Sequence, residues 1–257
     1  MNNQYQVTIF RAEQLQQLRN VRIHSPSIIQ IISGSKQLYW KESTIALSPS
    51  QLLLCEASAC LSFENLPQKG HFLSRVFSFH CAPTEAMLTL SQSIASDLDA
   101  PMINTDRALQ STLDALFSFE LSQLSKETQT FLVMGLYQQL AERGVLHLLF
   151  PSANTCFSHK LSQYLSHSPG EEHPLESAAE HFAMSRATLI RKLKHEGMQY
   201  RELLAEVRLN HALYLMQNEQ CSVALLSQLC GYQSEERFSQ RFKRKFGLTP
   251  SAYMKTL

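Results

Sequence analysis

Charge is scarce in this 257-residue sequence: Asp, Glu, Lys and Arg make up 18% of it, below the roughly 25% usual for globular domains. Hydrophobic residues reach 44%, which excludes the polar, highly charged composition of a disordered chain. Exposed faces must therefore draw on Ser, Gln and Asn. Long apolar runs are missing too. The longest stretch without an ionised side chain is the 16 residues Gly144 to His159, broken by Pro151, against the ~18 to 20 apolar residues that a membrane span needs. No membrane partner is expected. The opening MNNQYQVTIFRAEQ lacks a basic leader followed by an apolar core and a small-residue cleavage site, so a cytoplasmic location is expected. The six cysteines (Cys55, Cys60, Cys81, Cys156, Cys221, Cys230) form no CxxC pair and have no histidine at zinc spacing. That argues against a disulfide framework or metal site and for a reducing compartment. Gly-rich phosphate loops and nucleophile motifs are absent as well, so neither enzyme activity nor a cofactor is expected.

What is present is unevenly distributed. Net charge is +1, but residues 1 to 155 carry 10 Lys and Arg against 12 Asp and Glu, whereas residues 156 to 257 carry 13 against 10. All four aspartates (Asp97, Asp99, Asp106, Asp114) lie in the first part. A surplus of three is small, so its placement matters more than its size.

The first 80 residues read as short strands rich in β-branched, aromatic and Leu residues: Tyr5 to Arg11, Ser27 to Ile32, Gln37 to Trp40, Thr44 to Leu47, Gln51 to Cys55, Cys60 to Phe63 and Phe72 to Phe79. Close spacing of this kind predicts a sandwich or small barrel. The period then changes to helical, with Met87, Leu90, Ile94 and Leu98, then Leu109, Leu113, Leu116 and Phe117, then Leu132, Leu136 and Leu140, stopped at Gly144. Residues 151–155 (PSANT) combine a helix breaker with small polar residues where the charge changes sign, and this predicts a linker between domains 1–150 and 156–257.

Within the second domain one pattern occurs twice. In Leu175 to His195, a short helix with Leu175, Ala178, Ala179 and Phe182 inward is followed by a turn at Ala183-Met184. Ser185 then caps a helix that buries Leu189 and Leu193 and presents Ala187, Ile190, Arg191 and Lys194. In Ser222 to Phe246, Val223, Leu226 and Leu229 form the inner stripe and Gly231 makes the turn. Ser234 caps a helix whose Phe238, Phe242 and Phe246 stand at i, i+4 and i+8, with Arg237, Gln240, Arg241 and Arg244 outward. A helix with long donors on one face and an apolar anchor on the other is what a reader of the DNA major groove requires. A single such pair is also an ordinary amphipathic hairpin with a solvated basic face; two with matching turns and caps are harder to explain that way. Between them Arg201 to Gln217 is one unbroken helical pattern, with Leu204, Leu209, Leu213 and Leu215, and spans roughly 26 Å. That length lets the two units stand about one DNA turn apart.

The stretches RELLAEVRLNHALYLMQ and GYQSEERFSQRFKRKFGLTPSAYMK, with Gly231, Phe238, Phe242, Phe246-Gly247, Pro250 and Tyr253, resemble the signature of the AraC/XylS family of bacterial transcription regulators over residues 156 to 257. The resemblance implies an α+β protein: a cupin-like β-barrel with helices, for effector sensing or dimerisation, followed by an all-α domain of two helix-turn-helix units. It implies promoter DNA as partner, RNA polymerase where the protein acts as an activator, and base-facing positions at Ala187, Ile190 and Arg191 and at Glu236, Arg237, Gln240 and Arg241. Ser185, Arg186, Lys194, Ser234, Arg244 and Lys245 complete the expected DNA-contacting set. Three departures stand out: Ala183 replaces a frequent glycine, and Leu225 and Ser227 stand where an acid and an alanine are commoner. The donor-poor pair Ala187 and Ile190 predicts that the first unit reads thymine methyls and shape, leaving specificity mainly to the second.

For the N-terminal half, Arg22, Lys36 and Arg75 are the candidate anchors for an anionic effector, with exposed barrel charges as the plainer reading. The charge-free, broadly apolar stretch Thr128 to Ala141 is a candidate homodimer surface, or simply a helix wrapped by its neighbours. Two other function classes stay open: a protein-interaction regulator, and a cupin-type metalloenzyme, for which His24, His71 and His80 lie too far apart in sequence to form a ligand motif.

Overall fold

A computed structural model describes residues 3–57, 59–95, 100–151 and 156–257. The expected position Leu98, and the linker apart from Pro151, lie outside the described residues.

The N-terminal half holds nine strands in two antiparallel sheets. One contains β1 (Tyr5–Ala12), β8 (Phe72–Phe79), β3 (Ser27–Ser33), β6 (Gln51–Cys55) and β9 (Met102–Asn104), in that order; the other contains β2 (Gln16–Arg22), β7 (Cys60–Leu66), β4 (Ser35–Trp40) and β5 (Ser43–Leu47). The sheets face one another as a cupin-like sandwich and do not close into a single ring of strands among the described residues. The register is long and regular at β1 and β8, from Tyr5 opposite Phe79 to Ala12 opposite Phe72.

Two strands escape the sequence pattern. In β2 only Leu18 and Val21 are apolar, Gln16 is buried, and a bulge between Leu18 and Val21, with Asn20 at φ 56°, breaks the alternation that would have betrayed a strand. β9 has three residues and pairs with the edge of β6.

The five-stranded sheet is covered on both faces. Ile29, Ile31, Leu53 and Phe72 point to the sandwich interior, while Ile28, Leu52, Leu54, Phe77 and Phe79 pack under helices. This explains why β3 reads as an uninterrupted apolar run. The covering helices are α1 (Glu85–Ser93), α2 (Arg107–Ser118) and α3 (Lys126–Glu142). Leu109, Leu113, Leu116, Leu136 and Leu140 are buried against the sheet; Phe117 is exposed.

The C-terminal half is helical: α4 (Phe157–Leu165), α5 (Leu175–His181), α6 (Arg186–His195), α7 (Tyr200–Asn218), α8 (Val223–Leu229), α9 (Glu235–Phe246) and α10 (Pro250–Met254). α4 is not among the elements expected from the sequence, although Phe157, Leu161 and Leu165 recur at i, i+4 and i+8 and are buried. Its N-terminus is held from a distance: the Glu196 carboxylate accepts from the backbone N–H of Phe157 at 2.6 Å and of Ser158 at 2.7 Å.

Packing divides the C-terminal half in two. α4, α5, α6 and the first turns of α7 enclose a core of their own around Leu161, Leu189, Leu193 and Val207. The rest of α7 with α8, α9 and α10 shares one continuous core with the sandwich, from Leu18, Leu38 and Phe63 through Leu209 and Leu213 to Phe238, Phe242 and Tyr253.

Candidate nucleic-acid interface

Both helix-turn-helix units form where the spacing predicts them. Ser185 caps α6 by accepting from the Thr188 N–H, and Ser234 caps α9 by accepting from the Arg237 N–H. Leu189 and Leu193 anchor α6 inward. On α9 the three phenylalanines are buried and stack edge-on, Phe242 against Phe246 at 4.7 Å and against Tyr253 of α10 at 6.3 Å between ring centroids. Ala183 takes φ 50°, the left-handed conformation in which glycine carries no penalty. In α8 the inward residues are Leu226, Ser227 and Cys230. Leu229, expected on the inner stripe, is 39% exposed, because the helical period from Val223 and Leu226 falls on Cys230, which is buried in its place. Ser227 fits its tight position by donating to the Ala224 carbonyl.

The expected DNA-facing side chains divide by surroundings. On α6, Arg186, Ala187, Ile190, Arg191 and Lys194 are exposed, and Arg186 pairs with Glu176 at 2.8 Å. On α9, Glu236, Arg237, Gln240 and Arg244 are exposed, with Gln240 donating to Glu236 at 3.0 Å. Arg241 is half-buried beside Tyr232; burial raises the Tyr232 hydroxyl pKa, and the Arg241 guanidinium opposes that rise. Lys243 is a further exposed cation on α9 that the resemblance did not single out.

Lys245 is placed differently from the expectation of a free phosphate contact. Its ammonium donates to Glu206 of α7 at 2.6 Å, Glu206 also pairs with Arg22 of β2 at 2.8 Å, and the Asn20 amide donates to the Lys245 carbonyl. Its side chain is only 12% exposed. The residue therefore closes a contact between the sandwich and the second unit, and it reaches a phosphate only if that contact opens.

The same seam encloses a cavity of about 780 Å³ between the two sheets and α7. Lys36 stands in it, fully buried, donating to the Asn65 side chain and lying 3.4 Å from the centre of the Phe63 ring. Burial pushes its ammonium pKa down to about 7, with Cys55 acting weakly the other way. No carboxylate pairs with it among the described residues. Arg22 and His24 reach the cavity from β2 and the strand connection. Of the three candidate effector anchors, then, Lys36 and Arg22 share one chamber. Arg75 does not: it points to the helical side of its sheet, pairs with Asp114 at 2.6 Å and covers Phe117. Asn65, Gln16 and Asn210, polar residues of this chamber, went unread in the sequence because none belongs to a motif, and His24 was weighed there only as a metal ligand. His71 lies apart, in a second groove beside the C-terminal residue. No three His, Cys, Asp or Glu side chains converge as metal ligands among the described residues, and no helix there is long and apolar enough to cross a membrane.

Comparison with known proteins gives a consistent result. A family model described as a helix-turn-helix domain matches residues 178–256. The urease operon transcriptional activator of Escherichia coli is 29% identical over 51% of this chain and 43% of its own length. The transcriptional activator AggR of Escherichia coli is 18% identical over 92% of this chain and 93% of its own. Among solved structures, the unsaturated-fatty-acid-bound form of ToxT from Vibrio cholerae superimposes with a TM-score of 0.64 at 17% identity, covering 100% of this chain and 96% of that one. The chain thus spans less than half of the urease regulator and nearly all of AggR, and it shares the two-part fold of ToxT. Residues 178–256 thus form a helix-turn-helix domain similar to that of these transcription regulators, in keeping with the resemblance of the sequence to the AraC/XylS family.

Proposed function

We propose that the protein is a sequence-specific transcription regulator, acting as an activator with RNA polymerase as partner, that inserts α6 and α9 into successive major grooves of promoter DNA. The observation that carries this reading is α9: three buried phenylalanines fix one side, and Arg237, Gln240, Lys243 and Arg244 stand exposed on the rest of its surface. α6 repeats the arrangement with fewer donors, which supports specificity residing mainly in the second unit. The activators among the relatives favour activation over repression.

The cavity supports gating by a small effector. A chamber of mixed polar and apolar lining with one buried, carboxylate-free lysine suits an amphipathic acid whose carboxylate meets Lys36 and whose chain lies along Ile29, Val76 and Leu213. The fatty acid in ToxT is in keeping with that chemistry. Because the chamber is walled by both the sandwich and α7, an occupant touches both halves at once.

The test is fluorescence polarisation on labelled promoter fragments across a salt series, with and without oleate. If roughly six phosphates are neutralised, log K falls against log salt with a slope of about −5. Oleate is expected to change the affinity of the wild-type protein and not that of Lys36→Met. A slope near zero overturns the DNA-binding reading; an oleate response that survives Lys36→Met overturns the assignment of the anchor.

A further inference from the structure

Two helix-turn-helix units on one chain can grip adjacent grooves only if something fixes their separation and their rotation about the axis that joins them. Separation follows from α7, whose 19 residues rise roughly 28 Å without a break. Rotation needs a second contact off that axis. Three segments meet beside α7 and supply one: the α4–α5 connection at Pro169 to Glu171, the side chain of Arg208, and the end of α8 at Leu229 to Gly231.

The Arg208 guanidinium donates through Nε to the Pro169 carbonyl at 3.1 Å and through Nη2 to the Glu171 carbonyl at 2.8 Å. Both acceptors belong to the backbone of the first unit, so the bond geometry fixes the chain path itself. The other side of the joint is glycine against glycine. A Cβ on Gly170 would stand 2.2 Å from the Leu229 carbonyl oxygen, and one on Gly231 would stand 2.7 Å from both the Gly170 oxygen and Arg208 Nη2. Gly231 also has φ 71°, where a side chain is strained whatever the space. Backbone therefore touches backbone across the two units, and the forked guanidinium closes the gap from α7. Turning one unit about α7 would either drive these carbonyls together or break both hydrogen bonds.

We infer that Arg208, with Gly170 and Gly231, is the positioning joint that sets the rotation between the two recognition helices, and hence the spacing of the two half-sites the protein accepts. None of the three is placed to touch DNA in the reading above; they act through α6 and α9. The inference rests on that reading of both units as groove binders.

The experiment uses the 257-residue chain and a set of operators in which the two selected half-sites are moved apart or together one base pair at a time. The wild-type protein is expected to show a sharp optimum near one helical turn, ~10 base pairs. Arg208→Ala is expected to lose about tenfold or more at that optimum while its affinity for an isolated half-site and for off-optimum spacings stays nearly constant, since only the benefit of simultaneous engagement is lost. If Arg208→Ala does not fold, as judged by circular dichroism, Arg208→Lys is read in the same way, because it keeps the charge and loses the fork. A variant whose spacing profile keeps the wild-type optimum, whether at full affinity or uniformly weakened, overturns the joint. So does a wild-type protein that binds DNA without any spacing preference. A wild-type protein that binds no DNA overturns the groove-binding reading and this inference with it.

Discussion

Lys243, Arg244 and Lys245 are consecutive cations, yet the fold gives them different work. Two face solvent, while the third is drawn under β2 by Glu206, which Arg22 also holds. A screened surface cation contributes to DNA affinity through counterion release, and one already paired and covered does not. Lys243→Ala is therefore expected to weaken binding to all sequences alike and to reduce the salt slope by about 1. Lys245→Ala is expected to leave that slope unchanged in the intact chain. Arg241→Ala, by contrast, is expected to cost ~1 to 3 kcal/mol and to relax preference at one operator position, as for a guanidinium paired with guanine. Binding isotherms on matched and mismatched operators separate the three; equal, sequence-independent losses from Arg241→Ala and Lys243→Ala would show that Arg241 reads no base.

The elements of the helical C-terminal half depend on their ends. Ser234 supplies one of the acceptors that the first turn of α9 needs, and Ser234→Ala is expected to destabilise the chain by about 1 kcal/mol. The turn before α6 works the other way. Ala183 is held at φ 50°, and a left-handed alanine costs roughly 1 to 2 kcal/mol. Glycine removes that strain but adds freedom to the unfolded chain, about 0.4 to 1 kcal/mol. The strain is the larger quantity, so Ala183→Gly is expected to raise stability by up to about 1 kcal/mol. Urea unfolding of both variants measures the two effects, and a destabilised Ala183→Gly would mean that the turn carries no strain.

The seam between the sandwich and the second helix-turn-helix unit decides the behaviour of the whole molecule. At its centre the His24 imidazole accepts at Nε2 from the Asn210 amide at 2.7 Å, and that amide is oriented by donating to the Arg22 carbonyl. Burial, then the charges of Lys245 and Arg22 and the neighbouring His159, push the His24 pKa down to about 3; burial lowers His159 as well. With folded values below the ordinary 6.5, both groups stay neutral in the closed molecule and take up protons once it opens. Stability is therefore full above about pH 6.5 and is lost progressively as pH falls below it. Thermal unfolding between pH 7.5 and 5 is expected to show a falling midpoint in the wild type and a flatter profile in His24→Gln; identical profiles would remove His24 from the effect. A second expectation concerns assembly. On α3, Leu136 and Leu140 are buried under the sheet, while Phe131 is 77% exposed at the start of the same charge-free stretch. We expect the 257-residue chain to pair through this face, so that its sedimentation coefficient rises with concentration and Phe131→Glu suppresses the rise. A monomer at every concentration would exclude pairing.

The sequence by itself determined the local features. Apolar period, turn glycines and serine caps identified most strands and both helix-turn-helix units, because each depends on residues within a few positions of one another. Where local signal was weak, elements were lost: β2 through its buried Gln16 and its bulge, β9 through its length, and α4 because its stripe is interleaved with Ser and His. Tertiary structure alone decided which candidate charges share a chamber. It grouped Lys36 with Arg22, sent Arg75 to the opposite face of its sheet, and paired Lys245 with Glu206. It also decided that the second unit is packed into the sandwich core while the first keeps its own. Such outcomes depend on burial and on partners as distant in sequence as Asn20 and Lys245, 225 residues apart. No periodicity within one helix carries that information, because the free energy of a buried charge is set by what surrounds it in space.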